Sequence, residues 1–200
     1  MLLILLALTS GVNLAQAGGV EYLAFGLEFH WSFSQHSDTE EIDVTFEYWV
    51  PTEYTLRFGW VGVAIQDALD PMDDFRADYY IALTSDGLMT DRYSTYNGFS
   101  EEDVDQGCTN DIESWMDIVY DYTVYYWKRT LITGDACDID LVAQKPYVVK
   151  YALGPVIEGM IEQHSMKYMG YEYFILSEIY QDNNSDERGQ YGPWHSTILS

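Results

Sequence analysis

The chain is 200 residues long and carries 33 Asp and Glu against nine Lys and Arg, a formal charge of −24. That much negative charge opposes binding to DNA, RNA or anionic lipid and leaves a cation, a basic partner or a crowded secreted environment as compatible settings. The length suits one domain, in which roughly 70% of the extended surface is buried.

Residues 1–17 read as a signal peptide. Leu2 to Leu8 form a short apolar run and Ala15-Gln16-Ala17 a small-x-small cleavage site, although a basic start is missing. The run is too short to span a bilayer comfortably, and no later segment has the length and freedom from charge of a membrane helix. The mature chain is expected to be secreted or lumenal and to start near Gly18, with a retained anchor or organelle targeting as the alternative.

Period-two patterns dominate the mature chain. Ile42, Val44, Phe46 and Tyr48 alternate with Asp43, Thr45, Glu47 and Trp49, which predicts a strand with one buried face. Leu56, Phe58 and Trp60 predict the next strand, which runs through Gly59-Trp60-Val61-Gly62-Val63-Ala64 into an acidic break over Gln66 to Arg76. Tyr79 to Leu83 and Leu88 to Tyr93 flank Ser85-Asp86-Gly87, a strong hairpin signal. Trp115 to Leu131 is one long bent strand or two. Tyr147 to Leu153 and Tyr171 to Ile179 complete the pattern. Ile157 to Met169 tempts a helical reading, weakened by its internal glycine. Many short strands with Gly, Asp and Pro at their turns predict an all-β, immunoglobulin-like antiparallel sandwich over residues 18–176. Residues 177–200 read as a polar tail carrying the sequon Asn183-Asn184-Ser185, a candidate glycosylation site.

Cys108 and Cys137 are the only cysteines. In an exported chain such a pair is expected to form a disulfide, worth about 3.5 kcal/mol from loop entropy. Two acidic runs, Asp67, Asp70, Asp73 and Asp74, and Glu101, Glu102, Asp103 and Asp105, offer hard oxygen ligands to calcium, but neither has EF-hand spacing and both read first as solvated loops. Asp78 and Asp91 read as hydrogen-bonded strand ends. Asp135 and Asp138 satisfy a turn, accept from Arg129, or bind a cation. Met72 and His164 each lie just beyond a strand, the minimum for two axial haem ligands. Read locally, Met72 is an apolar plug between aspartates and His164 a surface histidine, and both positions equally suit an ordinary ligand cleft. No complete catalytic motif is present: no zincin, nucleophile elbow, phosphate loop, dinucleotide fingerprint or histidine pair for copper.

The order of these segments resembles a DOMON domain. His30-Trp31-Ser32-Phe33 is similar to the family's opening aromatic strand, and Gly59 to Ala64 to its glycine- and tryptophan-containing strand, which is followed by a methionine and an Ala-Asp pair, here Met72 and Ala77-Asp78. Thr90-Asp91-Arg92-Tyr93, Arg129 to Asp135 with Asp138, and Tyr151-Ala152-Leu153-Gly154 with His164 and Gly170 resemble three further pieces. The resemblance covers about Leu27 to Leu176. It implies a sandwich with a pocket that, in cytochrome domains like that of cellobiose dehydrogenase, holds haem b through methionine and histidine, by position Met72 and His164. Related domains beside copper monooxygenases of the dopamine β-hydroxylase type are not electron-transfer cytochromes, and other members bind sugars. Thioether and imidazole suit low-spin iron and leave no position for oxygen, so the implied function is electron transfer to a redox partner protein, with Arg76 or Lys167 as propionate partners. The absence of Cys-x-x-Cys-His favours noncovalent attachment. The alternatives are a non-catalytic carbohydrate or small-ligand module and a structural or assembly subunit.

Overall fold

The computed structural model describes residues 18–35, 41–69, 76–94, 100–177 and 181–182. Residues 1–17, Met72 and the sequon lie outside them. In chain order the strands are β1 (Gly18–Tyr22), β2 (Glu28–Gln35), β3 (Ile42–Pro51), β4 (Trp60–Asp67), β5 (Ala77–Leu83), β6 (Met89–Ser94), β7 (Glu101–Glu102), β8 (Glu113–Val119), β9 (Tyr122–Thr130), β10 (Pro146–Gly154), β11 (Val156–Ile157), β12 (Met160–Ile161), β13 (Met169–Ile175) and β14 (Gln181–Asp182). One sheet has the order β14-β1-β2-β3-β9-β8 and the other β13-β10-β4-β5-β6-β7, while β11 and β12 pair alone. All pairings are antiparallel except β1 with β14. No helix among the described residues is long and apolar enough to cross a membrane.

The alternation read in the sequence turns one face of each sheet inward. Phe29, Phe46 and Trp127 from the first sheet meet Val63, Tyr80 and Phe174 from the second, all buried in one core. Phe46 stacks on Trp127 at 5.3 Å, and Phe29 meets Phe174 edge-on at 5.3 Å, so aromatic rings fill the space between the sheets. The Asp86-Gly87 hairpin forms as read. Trp115 to Leu131 resolves into β8 and β9, joined through Tyr120, and Cys108 and Cys137 form the disulfide, with Cα atoms 6.2 Å apart.

Three expectations are corrected. Leu56 to Phe58 is not strand: Pro51 leads into a single helical turn, α1 (Thr52–Thr55), and the chain joins the sheet only at Trp60. Ile157 to Met169 is not helical, because Gly159 at φ 82° turns β11 back into β12. Asp103 is not part of a solvated run; it is buried where a 3-10 turn over Asp103–Gln106 packs on β6.

Candidate functional site

The outer face of the second sheet is the candidate site. Each strand there sends alternate residues to opposite faces. β4 points Val61, Val63 and Ile65 into the core, which leaves Trp60, Gly62, Ala64 and Gln66 on the outer side. Register sets Gly62 opposite Ala152 and Ala64 opposite Lys150 on β10. These small residues make a low strip flanked by Tyr79 and Ile81 on β5 and by Met169 and Tyr171 on β13. Beside it runs an open groove of 570 Å³ lined by Leu83, Arg92, Glu102, Met160, Ile161 and Glu162. That volume lies within the range of small-molecule and cofactor sites. Trp60 closes one end: its indole N–H donates to the Glu162 carbonyl at 2.9 Å. A Cβ at Gly154 would lie 2.4–2.6 Å from that indole, so only glycine lets the ring lie there.

His164 sits on the loop between β12 and β13. Hydrogen bonds from Ser165 N–H to Leu153 O (3.0 Å) and from Leu153 N–H to Tyr168 O (3.1 Å) pin this loop to the end of β10. The imidazole is half-buried, and its Nδ1 is buried without a hydrogen-bond partner. A buried ring nitrogen left unsatisfied fits a metal ligand better than a surface histidine. The segment carrying Met72 leaves β4 at Asp67, opposite Tyr147, whereas His164 follows the Gly154 end of the same strand pair. An eight-residue strand spans roughly 23 Å, so the two segments leave the strand pair at points well separated along it.

Lys150 lies in the middle of the strip, half-buried, and burial lowers its pKa from the ordinary lysine value. Register places this lysine between Ala64 and Tyr171. Of the cations considered in the sequence as propionate partners, Lys167 stands over the Tyr168 ring at 5.0 Å, and Arg76 lines a second cavity with Asp67, Asp138 and Lys145. Met160 was hidden in a segment that read as a helix; the β11–β12 hairpin puts it in the groove.

A buried polar network crosses from sheet to sheet beneath this face. The Arg129 guanidinium donates to Asp78 at 2.6 Å, Tyr80 at 3.0 Å, Asp138 at 3.3 Å and the Ile139 carbonyl at 3.2 Å. Burial pushes the Asp78 carboxyl upward, opposed by Arg129 and by the Ile139 N–H. Asp78 and Asp138 thus accept from Arg129, and Asp135 caps a turn by accepting from Cys137 N–H and Thr109. On the far side of the molecule, the outer face of the first sheet carries part-exposed aromatics: Trp115 lies parallel to Tyr126 at 5.1 Å, and Trp49 meets Tyr122 at 5.7 Å and donates to Glu47.

No protein-family model and no curated protein matches the sequence. Among solved structures, the cytochrome b domain of pyranose dehydrogenase from Coprinopsis cinerea superposes with a TM-score of 0.50 at 10% identity, over 78% of this chain and 80% of that one. The chain shares the β-sandwich fold of that cytochrome b domain. The cytochrome domain of Myriococcum thermophilum cellobiose dehydrogenase also matches, with a TM-score of 0.38 and 13% identity over 76% of each chain. At such identities the likeness concerns the fold, and residue roles rest on the site geometry of this chain.

Proposed function

We propose that this chain is a secreted electron-transfer module that binds haem b on the outer face of its second sheet, with His164 and Met72 as axial ligands. The buried, unpartnered Nδ1 of His164 at the end of a strip of small residues carries the proposal. The fold shared with a cytochrome b domain supports it. When bound, haem b supplies a one-electron couple. The protein's part is to present a dry, flat surface through Gly62, Ala64 and Ala152, to hold the imidazole through the Ser165 and Tyr168 bonds, and to offer Lys150 to a carboxylate. Were His164 and Met72 both to hold the haem, the chemistry it would supply is one-electron transfer to a redox partner.

The ligands are tested by titrating haem into the wild type and into Met72→Ala, His164→Ala and Met160→Ala. The expected result is that the low-spin spectrum is lost or changed to high spin in the first two variants and kept in the third. Retention in His164→Ala would remove the basis of the proposal, and loss in Met160→Ala alone would move the sulfur ligand into the groove.

One observation favours a second reading, carbohydrate binding, on a different face. Trp49, Trp115, Tyr122 and Tyr126 stand among Glu28, Glu47 and Asp117 on the first sheet, an aromatic surface with a polar rim. Polysaccharide binding lost in Trp115→Ala, with haem absent, would establish that reading.

A further inference from the structure

A second site lies at the other end of the sandwich, inside the protein. Asp91 on β6, Asp103 at the start of the 3-10 turn and Asp138 in the segment after β9 each place a carboxylate oxygen within 4.8 Å of the other two. All three are buried: Asp91 is 4% exposed, Asp103 is 1% exposed, and the Asp138 side chain is 1% exposed. Asp91 Oδ1, both oxygens of Asp103 and Asp138 Oδ2 accept no hydrogen bond. Arg129 bonds to Asp78 and to the other oxygen of Asp138, so its charge offsets the cluster only in part and leaves these oxygens without a hydrogen bond. The second Asp91 oxygen accepts the Asp111 N–H at 3.2 Å. An isolated carboxylate taken out of water costs several kcal/mol, and three that face one another add repulsion. Burial and neighbouring acids accordingly push Asp91 and Asp103 up to about 7.

Two agents relieve such a cluster: protons, or a cation held between the oxygens. The donors are all hard oxygens, which excludes the thiolate and imidazole chemistry that selects zinc or copper. The one nearby sulfur pair, Cys108 and Cys137, is closed as a disulfide. Oxygens no more than 4.8 Å apart lie within reach of one ion bound at the 2.3–2.6 Å of a calcium–oxygen bond, and buried carboxylates suit calcium better than magnesium, which keeps its waters. Asp138 also lines the 320 Å³ cavity that Asp67, Arg76, Tyr93, Asp140 and Lys145 border.

We propose that Asp91, Asp103 and Asp138 bind a calcium ion that ties β6, the 3-10 turn and the Cys137–Ile139 segment together beside the disulfide. The site is independent of haem and needs no haem-loaded protein for its test. Full-length protein stripped with EDTA is melted at pH 7.5 in 0.15 M NaCl with and without Ca²⁺, and Ca²⁺ is titrated by calorimetry at the same salt, where diffuse surface attraction is screened. One saturable site is expected, with the melting temperature raised by about 5–10 °C at a hundredfold excess over Kd. Asp103→Asn is expected to weaken Ca²⁺ at least about tenfold, while in EDTA it melts at or above the wild type because an unpaired buried charge is gone. Glu158→Gln, on the exposed hairpin, keeps the full response. Absence of a calorimetric site and of a melting shift in the wild type overturns the proposal and assigns the cluster to shared protons. A shift of equal size in Asp103→Asn overturns it too, since the ion would then sit elsewhere. Should Asp103→Asn not fold, the wild-type calorimetry decides alone.

Discussion

Replacing Arg129 with Met should be among the most destabilising single changes in the protein. The Arg129 side chain is fully buried, and its guanidinium is shared by Asp78, Tyr80, Asp138 and the Ile139 carbonyl. Removing one partner of a buried ion pair costs about 3–5 kcal/mol, mainly because the other charge is left unpaired. With a urea m-value of about 2 kcal/mol/M, the midpoint should fall by about 2 M, a large part of a typical stability. Since the cost is that of stranded charge, Arg129→Met with Asp78→Asn should regain at least about 1 kcal/mol over the sum of the single changes. The loss should also shrink in acid. Burial already raises Asp78, and without Arg129 the folded state binds its proton more tightly still, so stability is kept at low pH and lost as pH rises through the folded value. Urea denaturation at pH 5 and pH 8 reads all three effects. A midpoint shift under about 0.5 M, or simple additivity in the double variant, would refute the assignment of this network as the main polar tie between the sheets.

Cys108→Ala with Cys137→Ala should cost about 3.5 kcal/mol in urea denaturation, and less than 1 kcal/mol would mean that the calcium cluster or packing already holds this loop. Gly154→Ala puts a methyl into the space of the Trp60 indole and should cost about 1–3 kcal/mol, with a shift in tryptophan emission as the ring is displaced. In EDTA, protons should favour the folded state through Asp91 and Asp103, whose folded values near 7 exceed the unfolded value near 4. That contribution is full below about pH 4, falls as pH rises through 7, and should vanish in saturating Ca²⁺; a flat stability profile in EDTA would contradict it.

The strands were legible because burial on one face imposes period two on the sequence, as in Ile42 to Trp49 and Tyr147 to Leu153. Their partners were less so. Arg129 and Asp78 lie 51 residues apart, and only the packed sheets bring them together. Asp103 resembles its neighbours in an acidic run, and nothing local marks it as the buried one; that depends on where the turn docks. Ile157, Met160, Ile161 and His164 fall at spacings of three and four, which mimics a helix, until Gly159 takes a left-handed backbone that turns the chain. His164 itself was legible as a candidate through the DOMON resemblance. Its orphaned Nδ1, the strip of Gly62, Ala64 and Ala152, and Lys150 beside it were not, because they depend on register between strands distant in the chain.

An absorption spectrum of the purified protein, taken before and after haem addition and then after dithionite reduction, is the sharpest test of haem binding. One haem per chain with a sharp Soret band, and resolved α and β bands on reduction, is the result expected of His164 and Met72 as axial ligands. A spectrum that stays that of free haem at every ratio would contradict the proposed electron-transfer function.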